Sequence, residues 1–141
     1  MGDTEKLAGE LAARLPAGSV LLLRGPLGAG KTTFVKYLAR SLGFTGRVTS
    51  PTYTLMHVYP TERGDLVHAD VYRLPNVDAI YDLGFEEARE ASHLTVVEWG
   101  TPDHFPNALE LVIEPQDETT RQVKLIAHHP TLQKLLAEIS L

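Results

Sequence analysis

The chain has 141 residues, of which 43% are hydrophobic and 22% charged, a length and balance that fit one soluble globular domain (residues 1–141) rather than a disordered or membrane chain. Its formal net charge of −5 argues against a freestanding nucleic-acid binder, which needs a basic face; contact with RNA would take a partner or a local patch. The absence of cysteine excludes disulfides and thiolate metal sites, and no apolar run is long enough to span a bilayer; with an acidic, amphipathic start unlike a signal peptide, the expected address is the cytoplasm, away from membranes.

In chain order, Thr4 is placed to cap a helix whose Leu7, Leu11 and Leu15 recur four apart, and Pro16-Ala17-Gly18 closes it. The apolar run Val20 to Leu23 predicts a buried strand. Helical spacing returns over Thr32 to Leu42, with Phe34, Tyr37, Leu38 and Leu42 on one side and Gly43 where a C-cap glycine belongs. Tyr53 to Tyr59 and Leu66 to Tyr72 read as a hairpin whose turn is "PTERGD", residues 60 to 65. Residues 76 to 92 read as a helix interrupted at Gly84, and "LTVVEW" after it as a strand. "ALELVIEP" and "RQVKLIAHH" are two further strands, and Pro130 opens a terminal helix.

Between the first strand and the second helix, Gly25, Gly30, Lys31 and Thr32 satisfy G-x-x-x-x-G-K-[ST]. Glycines let successive backbone N–H groups face one anion, and the helix start adds its partial positive charge. Lys31 can then reach the β- and γ-phosphates, while the Thr32 hydroxyl can ligate magnesium. Pro26, Gly28 and Ala29 keep the loop small enough for a triphosphate to lie against the main chain. Strand, loop and helix in this order predict an α/β fold of the P-loop NTPase kind, a mixed sheet flanked by helices in three αβα layers.

Metal-assisted phosphoryl transfer also needs a carboxylate at the end of a neighbouring strand, and two residues qualify, Glu98 in "LTVVEW" and Asp70 in "LVHAD". No guanine-reading N/T-K-x-D tetrapeptide occurs, which favours ATP over GTP. His68 reads as a hydrogen-bonded packing residue of its strand, and His128-His129, with no third ligand at metal spacing, as a strand exit. Arg73 is open between pairing with acids such as Asp78 or Asp82 and an interface or phosphate-sensing role.

"GPLGAGKTT", "SPTYTL", "HADVYRL", "DLGFEE" and "VVEWG", in that order, resemble the TsaE (formerly YjeE) family of bacterial ATPases of tRNA threonylcarbamoyladenosine synthesis, over nearly the whole chain. Gly100 departs from the proline that many members carry after the Glu-Trp pair. The resemblance implies Mg2+ and ATP as cofactors and TsaB with TsaD as partners, with tRNA reached through that complex. Residue by residue it implies that Gly28, Ala29, Gly30, Lys31, Thr32 and Thr33 cradle the phosphates, that Thr32 and Glu98 hold magnesium, and that Asp70 is a second acid beside the γ-phosphate. It gives Ser50 to Leu55 a switch-like role, with Thr52 or Thr54 sensing the phosphate. Trp99 would lie near the nucleotide, and Thr4 and Arg121 near the base or ribose. Competing readings are a small-molecule kinase, for which no arginine-rich lid is visible, and a nucleotide-switched binding module that hydrolyses hardly at all alone.

Overall fold

The first strand, β1 (Ser19–Arg24), carries four successive apolar residues, Val20 to Leu23, and all four are buried. Such a run belongs to a strand covered on both faces, the signature of a parallel sheet between helical layers. The computed structural model describes residues 2–25, 30–48, 56–70, 84–98, 108–115, 121–127 and 129–138. Besides β1 these form α1 (Gly2–Arg14), α2 (Lys31–Ser41), β2 (Met56–Thr61), β3 (Gly64–Asp70), α3 (Phe85–Glu90), β4 (Ser92–Glu98), β5 (Leu109–Pro115), β6 (Arg121–Ala127) and α4 (Pro130–Glu138).

The six strands make one sheet in the order β2-β3-β4-β1-β5-β6. Neighbours β3, β4, β1 and β5 run parallel, while β2 and β6 are antiparallel edges. Alternation along the strands sends Leu21, Leu23, Leu66, Leu94, Val96, Leu109 and Leu111 to one face. There they meet Leu7, Leu11 and Leu15 from the α1 side, Phe34, Val35 and Leu38 of α2, and Leu132 and Leu135 of α4. Val20, Leu22, Val67, Ala69 and Val97 point the other way and pack with Phe85 of α3. Helices on both faces of a mixed sheet give the expected three-layer α/β fold.

Several local expectations shift for physical reasons. The first helix takes in Gly2 and Asp3, so Thr4 stands in its first turn rather than at its cap; first-turn N–H groups can be satisfied by water. In the hairpin, Pro60 pairs with Asp65 and Thr61 with Gly64, so the turn shrinks to Glu62-Arg63. A proline is tolerated there because β2 is an edge strand, where a missing N–H need not break the ladder. Ser92 leaves the predicted helix to open β4, its hydroxyl donating to the Arg89 carbonyl at 2.7 Å. The last strand ends at Ala127 because His129 serves the next helix: its Nδ1 accepts from the Thr131 N–H at 3.2 Å and its carbonyl from Gln133 at 3.0 Å. Gly43 behaves as its position predicts, with φ of 96° after α2 and the Gly43 and Phe44 N–H groups closing on Arg40 and Ala39 carbonyls.

Helix α3 has only 6 residues, too few to hold a helix in water, so tertiary packing must keep it in place. Phe85, fully buried, is the residue that does so. Phe85→Ala is expected to cost about 3–5 kcal/mol. Urea unfolding would register this as a lower midpoint at unchanged slope, and a loss below about 1 kcal/mol would mean that other residues hold this face closed.

Candidate functional site

The carboxyl ends of β3, β4 and β1 lie side by side, and register brings three sequence motifs together there. Asp70, the last residue of β3, is the ladder partner of Glu98, the last of β4, and Glu98 in turn pairs with Leu23 of β1. Just beyond Leu23, Arg24 donates to the buried Glu110 carboxylate at 2.8 Å, fixing β1 to β5 immediately before the glycine loop. Gly30 then adopts φ of 103° and its carbonyl accepts from Phe34 as α2 begins. A Cβ there would meet nothing within 4 Å, so conformation rather than space calls for glycine.

Lys31, the first residue of α2, folds back over this edge. Its ammonium donates to the Gly25 carbonyl at 2.8 Å and lies 3.9 Å from Glu98 Oε1. Lys31, Asp70 and Glu98 are all buried, at 5%, 4% and 3% exposure, so the three charges interact with little water to screen them. Burial pushes the Lys31 ammonium below its ordinary 10.5, against the opposing pull of Glu98 and Asp70. The cation is therefore held at a desolvation cost that further negative charge would relieve. Behind Glu98, fully buried His68 places Nε2 2.5 Å from Oε2.

This arrangement can receive an anion against a desolvated lysine and offer hard oxygen ligands beside it. Thr32 and Thr33 follow Lys31 in the first turn of α2, both half-buried. Among the described residues no cluster of three or more His, Cys, Asp or Glu is placed to hold a metal by itself.

The family profile described as "Threonylcarbamoyl adenosine biosynthesis protein TsaE" matches residues 1–123. The chain belongs to the TsaE family. Proteins named "tRNA threonylcarbamoyladenosine biosynthesis protein TsaE" are similar to it along most of its length. That of Aquifex aeolicus is 43% identical over 125 residues, covering 87% of this chain and 88% of the relative. That of Bacillus subtilis is 36% identical over 141 residues, covering 98% and 88%. The crystal structure of Bacillus subtilis YdiB superposes with a TM-score of 0.76 at 31% identity, covering 97% of this chain and 86% of that one.

Of the residues that the TsaE resemblance singles out, the fold gathers Lys31, Asp70 and Glu98 at one sheet edge, with Thr32 and Thr33 adjoining. Arg121 opens β6 opposite Pro115, the carboxyl end of β5, and so reaches the same edge of the sheet from its far side. Thr4 stands half-buried in α1. Gly28, Ala29, Trp99, Thr52, Thr54 and Arg73 lie outside the described residues. His68, expected as a hydrogen-bonded packing residue, is buried and bonded as such, but its partner is the site carboxylate Glu98. Sharing a strand face with Asp70 follows from the sequence, but its partner Glu98 lies on β4, and that pairing does not. A cleft of about 620 Å³ also lies away from this group, around the end of α2, lined by Lys36, Arg40, Phe44, Arg47 and Glu62. It gathers three cations from a chain that is acidic overall. No helix among the described residues is long and apolar enough to cross a membrane.

Proposed function

We propose that this chain is a magnesium-dependent ATPase of tRNA threonylcarbamoyladenosine synthesis in the cytoplasm, slow alone and accelerated by TsaB and TsaD, and that hydrolysis resets the TsaB–TsaD pair between rounds of modification. The observation that carries this reading is the buried ammonium of Lys31, the lysine of the G-x-x-x-x-G-K-T sequence, flanked by the strand-end carboxylates Asp70 and Glu98. Membership of the TsaE family supplies the pathway.

On this reading Lys31 would exchange the Gly25 carbonyl for phosphate oxygens, and the N–H groups from Gly28 to Thr33 would supply further donors to the same anion. Thr32 and Glu98 would hold the magnesium ion, which would supply positive charge against the negative charge developing in phosphoryl transfer. Asp70 would sit beside the γ-phosphate, where it can orient the attacking water. Trp99, Thr4 and Arg121 would contact the rest of the nucleotide. With these few groups catalysis is mostly positioning and charge stabilisation, so a partner that completes the site changes the rate strongly. A γ-phosphate that orders Ser50 to Leu55 would make the affinity for TsaB and TsaD depend on ATP, with tRNA met only through the complex.

The test is reconstitution of the three proteins with tRNA and threonylcarbamoyl-adenylate. Phosphate release to water should be slow from this chain alone and faster with the pair, and repeated rounds of modification should require this chain with an intact Lys31. Equal modification over many turnovers without it, or with Lys31→Ala, would remove the resetting role. Transfer of the γ-phosphate to a small molecule instead of water would replace the ATPase by a kinase.

A further inference from the structure

His68 is fully buried, yet one of its two ring nitrogens, Nδ1, has no hydrogen-bond partner among the described residues. For folding alone this is a poor choice. Its strand neighbour on the same face is Leu66, its ladder partner on β4 is Val96, and both are buried and apolar. An aliphatic side chain would fill such a place without stranding a polar atom. Across the other ladder His57 is engaged elsewhere, with Nδ1 2.8 Å from the Tyr59 hydroxyl. What the histidine does have is Glu98, whose Oε2 lies 2.5 Å from Nε2. A carboxylate oxygen can only accept, so the proton of a neutral ring belongs on Nε2, and the orphaned Nδ1 is then an acceptor without a donor.

Glu98 is thus held from two sides: His68 takes Oε2, and Lys31 stands 3.9 Å from Oε1. The two contacts differ in permanence. Lys31 is the group that must turn to an incoming phosphate, whereas His68 is locked in the sheet. When Lys31 moves, a carboxylate without a second anchor is free to follow the cation. We propose that His68 is the positioning residue of Glu98: it holds one carboxylate oxygen in place so that the other stays available to a divalent cation arriving with nucleotide. The assignment rests on the ATPase reading above and extends it to a residue that touches neither metal nor nucleotide. It also explains why β3 carries histidine two residues before Asp70, since the register that pairs Asp70 with Glu98 puts His68 directly behind the same carboxylate.

The experiment compares wild type, His68→Leu and His68→Gln as full chains. Gln is chosen because its Nε2 is three bonds from Cβ, as in histidine, so it can restore the donor. Two affinities are measured: a non-hydrolysable ATP analogue with chelator present, by calorimetry, and Mn2+ for the analogue-bound protein, by electron paramagnetic resonance. His68→Leu should hold Mn2+ about 10- to 100-fold more weakly, the usual effect of losing a group that orients a ligand, while metal-free nucleotide affinity and the thermal midpoint stay near wild type. His68→Gln should recover most of the loss. Unchanged Mn2+ affinity in His68→Leu, or no recovery in His68→Gln, would overturn the assignment, as would a fall of metal-free nucleotide affinity by the same factor. If His68→Leu does not fold, His68→Asn replaces it, because its amide is too short to reach Glu98 and should lose the metal that His68→Gln keeps. Wild type that takes up no Mn2+ with the analogue would overturn the ATPase reading together with this assignment; wild type that binds it, with His68→Leu unaltered, overturns this assignment alone.

Discussion

Lys31→Ala is expected to bind Mg-ATP about 10- to 100-fold more weakly, the worth of one charge-assisted hydrogen bond, and to lose turnover by a larger factor, on the order of 10²–10³. The asymmetry follows from geometry. Backbone N–H groups of the loop would remain to hold the ground-state phosphates, whereas the charge that builds up during transfer would face two buried carboxylates, Asp70 and Glu98, with their shared cation gone. A buried lysine is also prepaid in part: its ammonium has already left water, so its attraction to a phosphate is not spent on desolvation at the moment of binding. Calorimetry and phosphate release on the same preparation separate the two effects. Unchanged affinity together with unchanged turnover would remove Lys31 from the site.

Glu98→Gln should spare binding and cost the same in rate. Chelator-resistant nucleotide affinity is expected to stay within a few-fold of wild type, since the loop and Lys31 are intact, while hydrolysis falls on the order of 10²–10³. The amide keeps an acceptor for His68 and nearly the shape of the acid, so the loss reports the missing charge rather than a collapsed strand end. If turnover survives, Asp70, the ladder partner of Glu98, is the carboxylate that matters, and Asp70→Asn should then carry the defect.

How much of this was legible beforehand depended on the range of each interaction. Local chemistry was readable. The run Val20 to Leu23 had to be a strand covered on both faces, Gly30 had to precede a helix at Lys31, and Gly43 had to close it. Small errors came where two local preferences competed and packing decided, as with Pro60, which is a turn signal in most settings but is accepted by an edge strand. The expectation that Asp70 and Glu98 both end strands was correct as a statement about each alone. That they are ladder partners was not readable, because nothing local to "LVHAD" or "LTVVEW" says which strands lie together. The partner of His68 was not readable for the same reason: a hydrogen-bonded histidine on a strand is ordinary until the carboxylate behind it is known. The cleft formed by Lys36, Arg40 and Arg47 likewise has no signature, since two of its cations lie on one helix and the third comes after the turn that follows it.

The position of β1 at the heart of the sheet governs how the chain can come to be made. Both neighbours of β1 are late in synthesis, β4 at Ser92–Glu98 and β5 at Leu109–Pro115. The ribosome delivers the apolar run Val20 to Leu23 first and its partners only after a long stretch of further translation, at about 5–20 residues per second. For those seconds the nascent chain carries an unpaired strand that could capture the wrong partner, and α1 with α2 is the local unit available to cover it. Lys31 emerges long before Glu98, so the charge arrangement at the sheet edge exists only once the centre of the sheet has closed. A half-made chain therefore carries Lys31 without the Glu98 carboxylate that comes to lie 3.9 Å from its ammonium.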